Sequence, residues 1–137
     1  MKLVLLVLSF LFILASVDCQ NLHSVLDCNS VDQFRTITGK ASFYSTNLHG
    51  TQTSTGEKFD NNKMTGASNH FKLNTWVLVT NISNGKNVIV KINDRMHPKM
   101  SRKGRIVDVS RAAAKKLGFI QKGITKVKVT QIDAPDY

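Results

Sequence analysis

A succession of short β-forming runs, broken by one helical stretch, limits this chain to few folds. Residues 41–44, 76–82, 88–92, 106–109 and 124–132 are each rich in Val, Ile or aromatic side chains. Such residues suit the half-buried surface of a sheet. Over 125–130 apolar and polar side chains alternate, as they do on a strand with one wet face. Ser83-Asn84-Gly85 lies between two of the runs, and Asn-Gly supplies the positive φ angles of a tight type I′ turn. The single predicted helix covers 111–117, with Ser110 as its N-cap, three consecutive alanines inside it and Gly118 at the left-handed position beyond its end. Lys115 and Lys116 in its last turn suit the negative end of the helix dipole and need no ligand to explain them. Many short strands with one brief helix predict a small barrel rather than a sandwich or an α/β sheet.

The chain has 137 residues, room for one ordinary domain. Lys2 and the unbroken apolar run over 3–15 have the layout of a secretory signal, and the run is too short for a comfortable membrane span. We expect a secretion signal over 1–19, an N-terminal arm or tether over 20–38, the folded domain over 39–132 and a tail over 133–137. Cleavage after Cys19 would make Gln20 the first mature residue; alternatively Cys19 is itself lipidated, and only then does a membrane become a partner. If both cysteines are kept, Cys19 and Cys28 could pair in an oxidising compartment. The expected location is exported: periplasm, extracellular space or cell envelope.

Nineteen Lys and Arg against nine Asp and Glu give a formal charge of +10, which favours anionic polymers or surfaces. Lys2 and Asp18 within the signal cancel, so the basic surface belongs to the mature part. Export argues against nucleic acid as the partner. Metal-ligand clusters, phosphate-binding glycine loops and serine-nucleophile signatures are all missing from the sequence, so no cofactor is expected. The remaining candidates are acids, histidines and a basic loop. Glycoside chemistry needs a carboxyl able to protonate a departing sugar oxygen, and most hydrolases add a second carboxylate. Asp94 directly follows the run 88–92, where a rigid strand end can aim it, although a local bond with Arg95 is the simpler reading. Glu57 lies in the hydroxyl-rich Thr53-Ser54-Thr55-Gly56-Glu57, and is otherwise a solvated turn residue. His49 and His70 could bind sugar hydroxyls or titrate near neutrality. Lys99, Arg102, Lys103 and Arg105 form a basic loop.

Several segments occur in the order and spacing of one family: Gly39-Lys40-Ala41-Ser42-Phe43-Tyr44, Leu48-His49-Gly50, Thr55-Gly56-Glu57-Lys58-Phe59-Asp60, Val79-Thr80-Asn81, Asn84-Gly85, Ile92-Asn93-Asp94-Arg95 and Gly104-Arg105-Ile106-Val107-Asp108-Val109-Ser110. They resemble the rare lipoprotein A family over nearly all of 39–132. The resemblance implies a mainly β fold, a six-stranded double-psi β-barrel related to expansins and barwin-like proteins, with one or two short helices and a groove for glycan. It implies a lytic transglycosylase that cuts peptidoglycan glycan strands, with a preference for peptide-free ones, between N-acetylmuramic acid and N-acetylglucosamine and leaves 1,6-anhydro ends. The alternative is a non-catalytic, expansin-like wall-binding protein. By position, the family's catalytic aspartate falls on Asp94 and its glutamate on Glu57. Tyr44, His49, Ser68, His70, Arg95 and Arg105 are then expected to meet substrate. In this mechanism Asp94 serves twice, first giving a proton and then taking one, and a nearby ionised Glu57 would help keep it protonated.

Two departures from the family pattern stand out. Relatives commonly read Thr-Ala-Ala-His where this chain has Thr65-Gly66-Ala67-Ser68, so Ser68 occupies the histidine position. His70 is two residues further, about 7 Å along an extended segment. The connection over 95–104 is longer and more basic than the family's turn, and is expected to form one lip of the groove.

Overall fold

The computed structural model describes residues 34–136. The expected secretion signal, both readings of Cys19, the Cys19–Cys28 pairing and most of the 20–38 arm lie outside the described residues. Strands β1 (Thr36–Phe43), β2 (Thr65–Ala67), β3 (Trp76–Asn81), β4 (Asn87–Asp94), β5 (Arg105–Val109) and β6 (Thr125–Ile132) close into one barrel in the order β1-β5-β2-β4-β3-β6. Helix α1 (Pro98–Arg102) joins β4 to β5, and α2 (Arg111–Leu117) joins β5 to β6. The β1–β5 and β2–β4 pairs are parallel and the other four are antiparallel. This closed six-stranded barrel with two short helices is the architecture that the resemblance implies.

Alternation builds the core. Val77 and Val79 of β3, Val88, Val90 and Ile92 of β4, and Val127 and Val129 of β6 point inward, while Lys126 and Lys128 lie exposed between them. Each buried valine or isoleucine contributes roughly 1.5–3 kcal/mol over leaving it in water. Helix α2 adds Ala113, Ala114 and Leu117 to the same cluster, and Phe119 follows from just beyond its end.

Three elements depart from the sequence reading. Strand β1 runs from Thr36 to Phe43 rather than over 41–44, because Thr36–Ala41 pairs residue by residue with β6. Gly39 is therefore inside the strand, where an added Cβ would meet Ile106 Cγ2 at 2.5 Å. Strand β2 was not anticipated: all three of its residues are buried, so no polar alternation marks it. The hairpin between β3 and β4 is not type I′, since Gly85 has φ of 74° while Asn84 is absent from the positive-φ residues. Instead Gly85 N–H donates to Asn81 O at 2.8 Å. Asn84 works through its side chain, whose Nδ2 donates to Leu117 O at 3.0 Å.

Asn81, 2% exposed, ties this hairpin to α2 and β6. Its Nδ2 donates to Leu117 O at 2.9 Å, and its Oδ1 accepts from Ser83 N–H and the Thr125 hydroxyl, each at 3.0 Å. Asn81→Ala removes the acceptor for two groups, one of them the buried Thr125 hydroxyl. We expect a loss of about 2–3 kcal/mol, read in urea unfolding as a lower midpoint at unchanged slope.

Candidate functional site

Four residues stand side by side across four strands. Ser42 of β1 pairs with Asp108 of β5, Asp108 pairs with Ala67 of β2, and Ala67 pairs with Asp94 of β4. Partners opposite one another across a ladder present their side chains to the same face. Ala67, Asp94 and Asp108 all line one groove of about 410 Å³, together with Tyr44, Met96 and Arg105. Adjacent strands lie about 4.8 Å apart, so the backbones of the two aspartates are separated by roughly 10 Å, with the small Ala67 between them.

A β-bulge aims Asp94. The β2–β4 register runs Gly66↔Ile92 and then Ala67↔Asp94, so Asn93 is skipped. An extra residue of this kind re-aims the side chain that follows it. The loop over 53–57 then closes on the carboxylate. Asp94 Oδ1 accepts from Ser54 Oγ at 2.7 Å, Ser54 N–H at 3.0 Å and Arg95 N–H at 2.8 Å, while Oδ2 accepts from Tyr44 Oη at 2.9 Å. Burial works to raise the pKa of Asp94, but the hydrogen bonds from Ser54, Arg95 and Tyr44 outweigh it and hold the carboxyl below its ordinary value. Asp94 is thus kept ionised, the reverse of what a proton donor needs.

Asp108, not singled out in the sequence, has the complementary character. Burial pushes its pKa above the ordinary value, against a hydrogen bond from the Ser42 hydroxyl and the nearby charge of Arg105. Tyr44 faces both carboxyls. Burial, then the charge of Asp94 and the hydrogen bond to it, drive the phenol's pKa well up, so Tyr44 remains a protonated donor. Its ring stacks on Phe59, centroids 4.2 Å apart, which fixes the direction of the hydroxyl. The signal for Asp108 was its place in the Gly104–Ser110 motif, but a carboxyl inside an apolar run reads equally well as structural.

The other expected residues divide. Arg105 lines the groove, as does Arg95, but the Arg95 Nη1 is turned onto the carbonyls of Ser68 and Phe71, which fastens the 68–71 loop. Met96, His97 and Met100 supply the expected lip. Ser68 does not reach substrate in this arrangement: it is 0% exposed, and its hydroxyl donates to Ile106 O at 2.7 Å. His70 lies outside the groove lining, its N–H donating to Ser68 Oγ at 3.2 Å. Glu57 is also outside it. Asn93 Nδ2 donates to Glu57 at 3.3 Å and Lys91 Nζ at 3.4 Å, and the Asn93 bond leads in holding the Glu57 pKa below its usual value. Glu57 therefore braces the bulge behind Asp94. His49 lines a separate cavity with Arg111 and Lys115.

Residues 36–129 match a family model described as lytic transglycolase. The chain is 47% identical over 106 residues to the endolytic peptidoglycan transglycosylase RlpA of Neisseria meningitidis serogroup A, covering 76% of this chain and 42% of that protein. It is 48% identical over 95 residues to the protein of the same name from Pseudomonas aeruginosa, covering 69% of this chain and 27% of the other. The chain thus spans less than half the length of these relatives. Among solved structures, apo-Clavibacter michiganensis expansin aligns with a TM-score of 0.58 at 21% identity, over 75% of this chain and 53% of that one. A Streptomyces papain inhibitor aligns at 0.56 and 19%, over 72% and 94%. At such identities the likeness is one of fold.

Opposite pKa shifts predict opposite stability effects. The depressed pKa of Asp94 means that its ionised form stabilises the fold above the ordinary carboxylate pKa of about 3.9, and that this is lost as pH falls through the folded value. The raised pKa of Asp108 means that its ionised form is a cost, full above the folded value and gone below the ordinary one. Asp94→Asn should therefore lower Tm at pH 7 by a few degrees and Asp108→Asn should raise it. Both differences should close on acidification below about pH 4, as calorimetry over pH 3–8 would register.

Proposed function

The chain belongs to the rare lipoprotein A family of lytic transglycosylases, and from that membership we propose that it cuts the glycan strands of peptidoglycan. The cut falls between N-acetylmuramic acid and N-acetylglucosamine and leaves a 1,6-anhydro end. One observation carries this reading: two carboxyls of opposite ionisation tendency line one groove with only an alanine between them. Residues 1–19 are read as its export signal, which would bring the basic domain to the cell envelope, where its polymer lies.

The reaction needs two proton movements and no water. One proton goes to the glycosidic oxygen as its bond to C1 breaks, and one leaves the C6 hydroxyl as its oxygen bonds to C1. Asp108, whose carboxyl burial shifts toward the protonated form, is the donor to the leaving oxygen. Asp94, kept ionised by Ser54, Arg95 and Tyr44, takes the proton from the C6 hydroxyl. After one turn Asp108 is ionised and Asp94 protonated, and exchange with solvent restores both. This divides between two residues the double duty expected of Asp94 alone. Arg105 favours the Asp108 carboxylate left after donation. Glu57 acts at one remove, as a positioning residue holding Asn93 and so the bulge.

The test is incubation of wild type, Asp94→Asn and Asp108→Asn with peptide-free glycan strands, with products read by mass spectrometry. Wild type should release 1,6-anhydro ends, and each variant should lose about 100-fold or more in rate. Full activity in Asp108→Asn would return both proton steps to Asp94. Ordinary reducing ends would mean hydrolysis. No product from a wild-type protein that still sediments with cell-wall sacculi would leave the non-catalytic wall-binding reading.

A further inference from the structure

We propose that the cavity beside the groove, lined by His49, Arg111 and Lys115, binds the carboxylate of an acidic sugar unit in the same glycan strand. The inference rests on the glycan reading of the groove and names a feature of the substrate which that reading leaves open. The cavity has a volume of about 520 Å³. The 3-10 turn Thr46–Leu48 divides it from the groove: Ser45 and Leu48 line the groove, while Thr46 and His49 line the cavity. A strand lying in the groove and continuing past this turn therefore runs onto the second cavity.

The two hollows differ in charge. The groove sets Asp94 and Asp108 against Arg95 and Arg105; the cavity presents Arg111 and Lys115 with no carboxylate in its lining. Asp60 is the nearby acid, its Oδ1 3.7 Å from His49 Nδ1. Neutral sugar hydroxyls do not call for two cations, whereas a carboxylate accepts charge-assisted hydrogen bonds from both. Arg111 is also misplaced for helix stability, since it opens α2, and a cation at that end opposes the helix dipole. Lys115, in the last turn, has the helix end as a competing explanation; Arg111 does not.

The cavity is held ready for its ligand. The Arg111 guanidinium lies 5.1 Å from the centroid of the Phe43 ring, and Phe43 itself lines the groove. Asn61, 8% exposed, joins the two walls. Its Nδ2 donates to Ser45 O at 3.3 Å, its Oδ1 accepts from Arg111 N–H at 3.2 Å and its carbonyl accepts from Ala112 N–H at 3.0 Å. The first N–H groups of α2 are thereby occupied, so recognition falls to side chains. Asn61 N–H also donates to His49 Nδ1 at 3.3 Å, which leaves the ring proton on Nε2 as a further donor. In a peptidoglycan strand, N-acetylglucosamine is neutral, and N-acetylmuramic acid carries a lactyl carboxylate whenever no peptide is amide-bonded to it. That carboxylate is the anion the cavity takes.

The experiment titrates the protein with peptide-free glycan oligosaccharides and with the same oligosaccharides after methyl esterification of the lactyl carboxyls, with cleavage followed in parallel. Wild type should bind the free acid about tenfold more tightly than the ester, a preference of the size expected for one good charged contact. Lys115→Gln and Arg111→Gln should each bring acid binding toward that of the ester and leave ester binding unchanged. Lys103→Gln, which removes a cation from the lip instead, should keep the full preference. Lys115 is exposed, so its variant tests the site even if Arg111→Gln folds poorly. Equal binding of acid and ester by wild type, or an undiminished preference in Lys115→Gln, would overturn the inference. The transglycosylase reading fails separately, by absence of anhydro products from acid and ester strands alike.

Discussion

Ala67 pairs with Asp108 on one side and with Asp94 on the other, and the site depends on that lateral register. The short strand β2 can be inserted there because its neighbours come close. An added Cβ on Gly66 would meet Asp108 O at 3.1 Å. The Asn93 bulge then slides Asp94 into line with Ala67 rather than leaving Asn93 there. Without the bulge, the period-2 alternation of a strand would turn the acid to the opposite face. Glu57, Thr55 and Ser54 each bind this short stretch, through Asn93 Nδ2, Asn93 O and Asp94 Oδ1 respectively, which makes the 53–57 loop the brace of the site.

Two aspartates on one face differ in ionisation because their partners differ. Asp94 accepts from three protein groups at Oδ1 and from a phenol at Oδ2. Asp108 has the Ser42 hydroxyl and the field of Arg105 against greater burial. Environments that push paired titratable groups apart assign acid and base roles. Tyr44 reinforces the split, since its buried phenol stays protonated and donates its hydrogen bond to Asp94 and not to Asp108.

Helix α2 serves both core and surface. Ala113, Ala114 and Leu117 join the barrel core, and Asn81 and Asn84 close its far end at Leu117 O. The opposite face carries Arg111 and Lys115 into the cavity beside the groove. A helix anchored at both ends by buried or half-buried asparagine contacts gives those cations a fixed base, so the stability of the hairpin and the shape of the surface are joined through one element.

Much of this was legible in the residues. The Val-, Ile- and aromatic-rich runs over 41–44, 76–82, 88–92, 106–109 and 124–132, the alternation over 125–130, the Ser110 cap and Gly118 pointed to five strands, one helix and a barrel, because such side chains suit a pleated, half-buried surface. The Asn93-Asp94-Arg95 motif at a strand end pointed to Asp94. What the sequence could not determine rests on contacts between distant segments. Strand β2, buried throughout, has no period to read. The β1 start at Thr36 depends on β6, and the side-chain role of Asn84 depends on Leu117, 33 residues further on. Ser68, Glu57 and His49 were grouped with Asp94 by motif, but tertiary structure put one under the Ile106 carbonyl, one behind the bulge and one in another cavity. Asp108 joins Asp94 in the groove only because parallel and antiparallel ladders set the two level on either side of Ala67. A motif records which residues are present, whereas pKa and proximity come from burial and partners that only the closed barrel supplies.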